Sequence, residues 1–308
     1  MTATKKYRVA VIGVGNMGKN HLRIYSEIPS VNVIAISDLN SSLIETFATK
    51  YHANAYLDFR KMLDGEDVDI VSICVPTSKH YEIARECVGR GINVLLEKPI
   101  ANDIYHAQDL LDFAEKRSVK FLVGHIERFN PMVNRIKKIV GQGQIGKIIA
   151  IIARRVGMFP PQIQDVDVAI DLAIHDIDIC NYLLGNLPFE IRKNGQRNLT
   201  KNREDSVEFF LRYESGASSY IQANWVTPVK IRKLIITGET GYLEADYISQ
   251  EIELYENRGA GEVYVIKIVP DKKEPLREEL LYFIDCVEKD VIIDSRFALD
   301  SLRIALNL

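Results

Sequence analysis

The chain has 308 residues, enough for two ordinary domains and too many for one simple core. Hydrophobic residues make up 47% and charged residues 26%, the balance of a soluble globular protein. The 39 Lys and Arg residues nearly offset the 42 Asp and Glu residues, and the net charge of −3 gives no electrostatic reason to expect nucleic acid or an anionic membrane as partner. No apolar run reaches membrane-spanning length. The opening "MTATKKYRVAVIGVG" passes from a short basic lead directly into a strand, so we predict no signal peptide.

The first third of the chain alternates strand and helix patterns. Short β-branched runs predict strands, and the stretches between them predict helices. Buried strands separated by helices of this length indicate a doubly wound parallel sheet with helices on both faces. The predicted strands are "YRVAVIGVG", "NVIAISD", "DIVSICVP", "NVLLEKP" and "KFLVGH", and the predicted helices are Lys19 to Ile28, Leu43 to Lys50, Ser78 to Arg90 and Ile104 to Lys116.

The pattern changes after about residue 124, where we predict a domain boundary. Residues 1–124 form the predicted α/β domain, and residues 125–308 form a predicted α+β domain whose last helix could pack back on the first. Gly, Asn, Asp and Pro punctuate a run of strands that ends near residue 269, as expected of an antiparallel sheet. Those strands are "SVEFFLRY", "ASSYIQANWV", "VKIRKLIITG", "GYLEADY", "EIELYEN" and "EVYVIKIV", with helices predicted before them, over 131–140 and 170–184, and after Pro275.

A glycine-rich loop follows the first predicted strand and opens the first helix. In the pattern GxGxxG the first glycine permits a tight turn, the second lets the backbone approach a pyrophosphate, and the third lets helix and strand pack closely. The helix then points its free N–H groups at the phosphates. The sequence therefore predicts a dinucleotide site, rather than a plain glycine turn, at Gly13, Gly15, Asn16, Met17 and Gly18.

Asp38 ends the second predicted strand, twenty residues after Gly18. A carboxylate at this distance accepts hydrogen bonds from the 2′-hydroxyl of the adenine ribose. It would repel the 2′-phosphate of NADP, so we predict NAD as the cofactor. The alternative is an ordinary aspartate at the end of a strand.

Two further strand ends carry candidate cofactor contacts. Ligands of open α/β sheets bind beyond the carboxyl ends of the strands. In "NVLLEKPI" this places Glu97 and Lys98 beside the expected nicotinamide, where a cis bond to Pro99 would re-aim the lysine. In "ICVPTSKHYEIA" it places Pro76, Thr77 and His80 at the same edge, although a turn and a helix cap would explain them as well.

Residues 170–179, "IDLAIHDIDI", predict a helix with one narrow polar stripe. Asp171, His175 and Asp178 fall at positions i, i+4 and i+7, which is one face. Most other positions are apolar, and a helix that is apolar nearly all round is normally buried. A solvated face would be broader and richer in Lys and Glu. Paired with Lys98 of the first domain, the stripe would form the substrate-side wall of a cleft.

The four cysteines are scattered and form no CxxC pair. Three of them lie in strongly apolar surroundings, which favours reduced core thiols in a cytoplasmic protein over disulfides. They are Cys74, Cys87, Cys180 and Cys286.

The sequence resembles the Gfo/Idh/MocA family, the relatives of glucose–fructose oxidoreductase and inositol dehydrogenase, over essentially its whole length. The resemblance is carried by "VIGVGNMGKNH", "CVPTSKHYEIA" and "LLEKPIA" in the first domain. In the second it continues through "GHIERFNP", "DLAIHDIDICNYLLG" and "ITGETGYLEADY". It implies a Rossmann domain followed by a domain built on a large open, mainly antiparallel sheet, which often forms a homodimer or homotetramer interface.

The resemblance also implies residue roles. The family's catalytic lysine matches Lys98, and its aspartate and histidine match Asp171 and His175. Members use these groups on a secondary alcohol of a sugar or cyclitol. His175 is the simplest base for the hydroxyl proton, because the ordinary pKa of imidazole is near 6.5. Lys98 would stabilise the developing negative charge, or act as base if burial and a cationic neighbour lowered its pKa.

The two aspartates of the polar stripe have supporting roles. Asp171 would orient the imidazole or the lysine and bind a neighbouring hydroxyl. Asp178 is expected to be structural, holding a backbone group or an arginine. Hydride transfer needs no Lewis acid beside Lys98 and His175, so no metal is implied.

The substrate is the least constrained prediction. "GHIERFNP" and "IDLAIHDIDI" look closest to a subgroup that oxidises UDP-N-acetylglucosamine at carbon 3, and Arg154 and Arg155 could then bind the diphosphate. A charged strand edge explains these two arginines equally well. An inositol or simple-sugar dehydrogenase is the second interpretation. A non-catalytic NAD-binding regulator is the third, although it would not need Lys98, Asp171 and His175 together.

Overall fold

The computed structural model describes residues 6–160, 165–257 and 262–308, which form two compact units. The first unit comprises the chain up to Gly124 together with Leu276–Leu299, and the second comprises His125–Pro275 and Asp300–Leu308. The change of unit at Gly124 coincides with the change of sequence pattern. The predicted extent of the second domain, residues 125–308, differs from the structure, because Leu276–Leu299 belongs to the first unit.

The first unit alternates strands and helices. Asn40, Asp58 and Asp103 begin three of its helices, each accepting a main-chain N–H with its side chain. The elements in chain order are β1 Tyr7–Ile12, α1 Gly18–Glu27, β2 Val31–Ser37, α2 Ser41–Tyr51, β3 Asn54–Tyr56, α3 Phe59–Gly65, β4 Ile70–Ile73, α4 His80–Gly89, β5 Asn93–Glu97, α5 Ile104–Lys116 and β6 Phe121–Gly124.

The described strands of the first unit form one parallel sheet in the order β3-β2-β1-β4-β5-β6. This is the Rossmann order, whose switch point lies between β1 and β4. The predicted doubly wound fold is confirmed. The short edge strand β3 and helix α3 were not among the predicted elements, because β3 has only three residues and none of them is buried.

The second unit begins with α6 Pro131–Gly141, where Asn130 caps the helix and proline occupies its first turn. The following elements are β7 Ile148–Met158, a π turn over Ala169–Ala173, α7 Ile174–Leu184, β8 Pro188–Gln196, β9 Ser206–Tyr213, β10 Ser218–Asn224, β11 Val226–Gly238, β12 Gly241–Asp246, β13 Glu251–Asn257 and β14 Val263–Ile268. Two helices complete the chain, α8 Pro275–Glu288 and α9 Arg296–Ala305.

The strands β7 to β14 that the structure describes form one sheet in the order β14-β13-β12-β11-β7-β10-β9-β8. Only β7 and β10 pair in parallel, so the predicted large and mainly antiparallel sheet is confirmed. Strand β7 lies inside the sheet, between β11 and β10. The interpretation of Arg154 and Arg155 as a charged strand edge is therefore wrong.

Two chain-wide expectations can be compared with the described residues. All four cysteines are free thiols, three of them buried and Cys74 half-buried. Among the helices described, none has the length and apolarity needed to cross a bilayer.

Candidate active site

The glycine loop has the geometry that a pyrophosphate site requires. Gly13 adopts φ +85°, and a Cβ there would collide with the carbonyl of Cys74 at 2.7 Å. A Cβ at Gly18 would collide with the Gly13 carbonyl, so this glycine allows helix and strand to pack. Gly15 is exposed, and a Cβ there would meet nothing within 4 Å. The loop is thus closed on its protein side and open where a dinucleotide would lie, so its residues fit that cofactor.

Asp38 lies at the end of β2, against the glycine loop. Its Oδ2 accepts the Val14 N–H at 2.8 Å, and its Oδ1 accepts the Asn40 N–H at 2.9 Å. These bonds fix the half-buried carboxylate beside the loop. The structure therefore holds this side chain against the glycine loop, and its contact with the ribose stays a prediction.

The residues after β4 divide into two groups. Pro76 is exposed at the strand end, and Thr77 is buried in the turn that follows. His80 is 1% exposed, and its Nδ1 and Nε2 lie 2.7 and 3.0 Å from the main-chain oxygens of Pro99 and Val75. The buried imidazole thus ties the turn after β4 to the turn that follows Lys98. The contact of His80 with the cofactor stays a prediction.

Lys98 directly follows β5, half-buried, and its peptide bond to Pro99 is cis. Glu97 points into the first unit instead of lying open at the strand end, and only 8% of it is exposed. Its Oε1 lies 3.1 Å from His21 Nε2, while His21 Nδ1 lies 3.2 Å from Ser72 Oγ. Glu97 therefore ties the backbone next to Lys98 to α1. This interior bond gives Glu97 a structural role, and its contact with the cofactor stays a prediction.

A second buried carboxyl, which sequence analysis did not single out, lies near Glu97. Glu279 on α8 is 0% exposed, and neither of its oxygens has a hydrogen-bond partner among the described residues. Burial, and then the charge of Glu97, raise the pKa of Glu279 well above its ordinary value. Burial therefore favours the protonated, uncharged form of Glu279 in the folded protein.

Replacing Glu279 with Gln is expected to stabilise the protein at neutral pH. The unfolded chain releases this proton above a pKa of about 4.3, whereas the folded chain releases it only at a higher pH. The carboxyl therefore costs stability as the pH rises from about 4.3 toward the raised pKa of the folded state. The amide keeps the shape and cannot ionise. The expected gain is about 1.4 kcal/mol for each pKa unit by which burial raises Glu279.

Urea denaturation of E279Q at pH 4 and pH 7 measures this difference. The variant and the original chain should be nearly equal at pH 4 and should diverge by pH 7. Glu288→Gln, on the exposed side of the same helix, is the control and should change little. A uniform loss of stability at both pH values would contradict a raised pKa of Glu279.

The polar stripe of the second unit lies on an irregular helix. Residues Ala169–Ala173 form a π turn, and the regular helix α7 begins at Ile174. The turn contains Asp171, so the regular 3.6-residue spacing assumed from the sequence does not hold between Asp171 and His175. π turns inside helices are frequent at functional sites. Both Asp171 and His175 are partly exposed, whereas Asp178 is buried.

Asp178 performs the structural role that the sequence predicts. Arg128 donates to both of its oxygens at 2.7 Å, and Ser301 Oγ lies 3.3 Å away. Burial opposes ionisation of Asp178, but His125 and Arg128 outweigh it and lower its pKa. The prediction that Asp178 holds an arginine is confirmed.

Arg155 is held in an ion-pair network inside the second unit. Its Nε and Nη2 donate to Asp176 at 2.8 and 3.0 Å, and its Nη1 donates to Glu127 at 2.8 Å. It is 4% exposed, and burial lowers its pKa less than Asp176 and Glu127 raise it. These three bonds direct the guanidinium at carboxylates, and the buried side chain offers little access to a substrate diphosphate. The ion-pair network therefore disfavours the predicted substrate contact of Arg155, and the pairing of Asp176 was missed.

Arg154 lies one residue away, on the opposite face of β7, and is exposed. Because successive strand residues alternate faces, Arg154 and Arg155 cannot grip one diphosphate together. The predicted bidentate arginine pair is wrong on this geometric ground.

Asp171 is oriented by a residue that sequence analysis did not single out. Trp225, at the end of β10 and 1% exposed, donates from Nε1 to Asp171 Oδ2 at 3.2 Å. The His175 ring meets the His125 ring edge to face, with centroids 6.3 Å apart. The only tryptophan of the chain was the available signal. A buried indole requires an acceptor, and its pairing with Asp171 depends on the tertiary fold.

Comparisons with known proteins agree with this architecture. A sequence profile described as "Oxidoreductase family, NAD-binding Rossmann fold" (GFO_IDH_MocA) matches residues 7–125. A second, described as the "GFO/IDH/MocA C-terminal domain", matches residues 133–244. The chain belongs to the Gfo/Idh/MocA family. It is an oxidoreductase with the family's dinucleotide-binding domain.

Individual relatives of this Gfo/Idh/MocA member have named activities. It is 29% identical over 286 residues to UDP-N-acetylglucosamine 3-dehydrogenase of Acidithiobacillus ferrooxidans, covering 91% of this chain and 88% of the other. It is 25% identical over 297 residues to scyllo-inositol 2-dehydrogenase (NAD(+)) of Bacillus subtilis, covering 91% and 86%. A solved structure of the Acidithiobacillus enzyme gives a TM-score of 0.88 at 26% identity, covering 97% of this chain and 95% of that one.

Proposed function

We propose that this oxidoreductase transfers hydride from a secondary alcohol of a nucleotide sugar to NAD, with UDP-N-acetylglucosamine oxidised at carbon 3. The observation that carries the catalytic part is the division of the polar stripe. Asp178 is buried and paired with Arg128, whereas Asp171 and His175 remain partly exposed. Asp176, beside the stripe, is also buried and paired with an arginine. The substrate part is supported by the similarity to the Acidithiobacillus enzyme along most of both chains.

The proposed chemistry assigns one task to each residue. Bound NAD supplies the hydride acceptor. His175 takes the hydroxyl proton on a ring nitrogen as the alcohol carbon loses hydride. Lys98 Nζ donates a hydrogen bond to the same oxygen and stabilises its developing negative charge. Asp171, oriented by Trp225, accepts a hydrogen bond from a neighbouring hydroxyl of the sugar.

A non-catalytic NAD-binding regulator is disfavoured by the same residues. A sensor has no chemical need for a lysine, an aspartate and a histidine that match a family's catalytic set. Its ligand response would also survive their removal. Loss of turnover with retained NAD binding in Lys98 variants therefore separates the two functions.

The preference for NAD is expected to depend on the charge of Asp38. Asp38→Asn keeps an oxygen for the Val14 N–H but removes the repulsion of a 2′-phosphate. Like charges about 4 Å apart cost on the order of 1–4 kcal/mol, so the ratio of kcat/KM for NAD over NADP should fall by about tenfold or more. An unchanged ratio would contradict the assignment of Asp38 as the selecting residue.

The substrate is tested by NADH fluorescence with UDP-sugars, inositols and free aldoses. Turnover of UDP-N-acetylglucosamine well above that of free sugars supports the proposal. Activity confined to free polyols would reject the nucleotide sugar and favour an inositol dehydrogenase, the activity named for the Bacillus relative.

We further propose that the eight-stranded sheet forms a homodimer or homotetramer interface. An apolar row crosses three adjacent strands on its open face, because Ile152 pairs with Tyr220, and Tyr220 pairs with Phe210. Each of these side chains is about two-fifths exposed (43%, 40% and 39%). Contiguous exposed apolar surface is typical of interfaces. Light scattering should give a mass of two or four times 35.0 kDa, and a monomer would contradict the proposal.

A further inference from the structure

Two arginines lie directly opposite each other on the second sheet. Arg155 on β7 and Arg232 on β11 are partners in the antiparallel register. Opposite residues of antiparallel strands point to the same face, which here is the face against the helix that carries Asp176. Like charges at opposite positions destabilise a sheet, so this arrangement requires compensating anions.

The compensation of the two arginines is unequal. Arg155 takes the forked bond to Asp176 and a further bond to Glu127. Arg232 donates from Nη1 only to the main-chain oxygens of Val156 and Ile231, at 2.6 and 2.9 Å. No carboxylate within the described ranges lies at ion-pair distance from it. Burial, and then the charge of Arg155, lower the pKa of Arg232 to about 10.

Arg232 is only partly buried, and it lies close enough to Asp171 for the two charges to interact. Gly157 flanks the guanidinium, and a Cβ there would lie in ordinary van der Waals contact, 4.0 Å from both terminal nitrogens. The charge of Asp171 raises the pKa of Arg232 and so opposes the effect of burial. A second guanidinium, that of Arg203, lies 5.7 Å from the ring of Trp225, the donor to Asp171.

We propose that Arg232, assisted by Arg203, binds the diphosphate of a nucleotide-sugar substrate. The inference rests on the proposed function and names its specificity residue. A guanidinium presents a planar fork of donors that matches phosphate oxygens, and a half-buried cation lacking a carboxylate gains most from an anionic ligand. An uncharged polyol has no phosphate group and would leave Arg232 without an anionic partner. This subsite takes the role that the sequence had assigned to Arg154 and Arg155.

The test is calorimetric binding of UDP and of pyrophosphate to the full chain saturated with NADH. Arg232→Gln should weaken UDP binding by about tenfold or more, the effect of one lost charge-assisted hydrogen bond. NADH affinity should stay unchanged. Arg154→Gln, on the opposite face of β7, is the matched control and should bind UDP like the original chain. Equal affinities of R232Q and the original chain for UDP would overturn the subsite.

Two further readouts separate a binding role from a structural one. Removing Arg232 relieves its repulsion with Arg155, so R232Q should melt at the same temperature as the original chain or higher. With UDP-N-acetylglucosamine, KM should rise more than kcat falls. A lowered melting temperature with unchanged KM would assign Arg232 to the sheet alone. Arg232→Lys, which keeps the charge without the fork, should give intermediate KM values.

The outcomes also separate this proposal from the proposed function. If the original chain oxidises UDP-N-acetylglucosamine and R232Q does so with the same KM, the subsite is wrong and the function stands. If no UDP-sugar is oxidised but UDP binding depends on Arg232, the subsite stands and the named substrate is wrong. If the original chain binds neither UDP nor pyrophosphate, the subsite is rejected.

Discussion

Lys98→Ala should lower kcat by roughly 10²- to 10⁴-fold while NADH binding is retained. This range is what a positioned proton-transfer group or an oxyanion-stabilising donor contributes to catalysis. Lys98 follows β5 at the carboxyl edge of the Rossmann sheet, the edge at which ligands of such folds bind. Steady-state assays measure kcat, and NADH fluorescence titration measures the affinity for NADH.

Lys79→Ala is the matched control for Lys98. Lys79 is an exposed lysine in the turn after the adjacent strand β4, and it pairs only loosely with Glu82 at 3.5 Å. Its removal should leave both kcat and NADH affinity within a factor of two or so, the usual range for exposed surface substitutions. Unchanged turnover in K98A would reject the catalytic assignment. If K98A loses both NADH binding and turnover, Lys98 has a role in cofactor binding instead.

Arg155→Ala should destabilise the protein by about 3–5 kcal/mol. Removing one partner of a buried ion pair leaves the other charges uncompensated, and Arg155 serves both Asp176 and Glu127. Its guanidinium also stacks 4.8 Å from the ring centroid of Tyr247, so packing is lost together with charge. Chemical denaturation measures this loss of unfolding free energy.

Arg154→Ala tests the same point from the other face of β7. An exposed substitution away from any network is expected to change stability by no more than about 0.5 kcal/mol.

The substrate role of Arg155 is tested separately. At temperatures where R155A remains folded, the KM of R155A for a UDP-sugar should be close to the original value. A selective rise in KM without loss of stability would restore the substrate role that the sequence suggested for Arg155.

The residue spacing of the polar stripe predicted part of this helix and missed part of it. Spacing placed Asp171, His175 and Asp178 on one face and separated the structural Asp178 from the other two. It gave no weight to Asp176, which looks like an ordinary helix residue and is in fact fully occupied by Arg155. The π turn over Ala169–Ala173 was also invisible, because a single inserted residue leaves no signature in the apolar pattern.

The first unit could be predicted largely from local signals. Alternating buried strands and helices, glycines at fixed offsets and an acid at the end of β2 are short-range features, each with its own physical requirement. They determined the Rossmann fold, the dinucleotide loop and the position of Lys98. The functions of His80 and Glu97 could not be predicted in this way, because a strand-end location does not reveal whether a side chain turns outward or into the core.

The sequence by itself therefore determined the fold class, the cofactor loop and which residue types are available for chemistry. The tertiary structure decided which charges are already paired. Glu279 joins the first unit from more than 150 residues beyond Gly124, and Arg232 meets Arg155 only through the register of β7 and β11. Local spacing specifies a helix face or a strand face, whereas the compensation of a buried charge depends on a partner that only long-range pairing supplies.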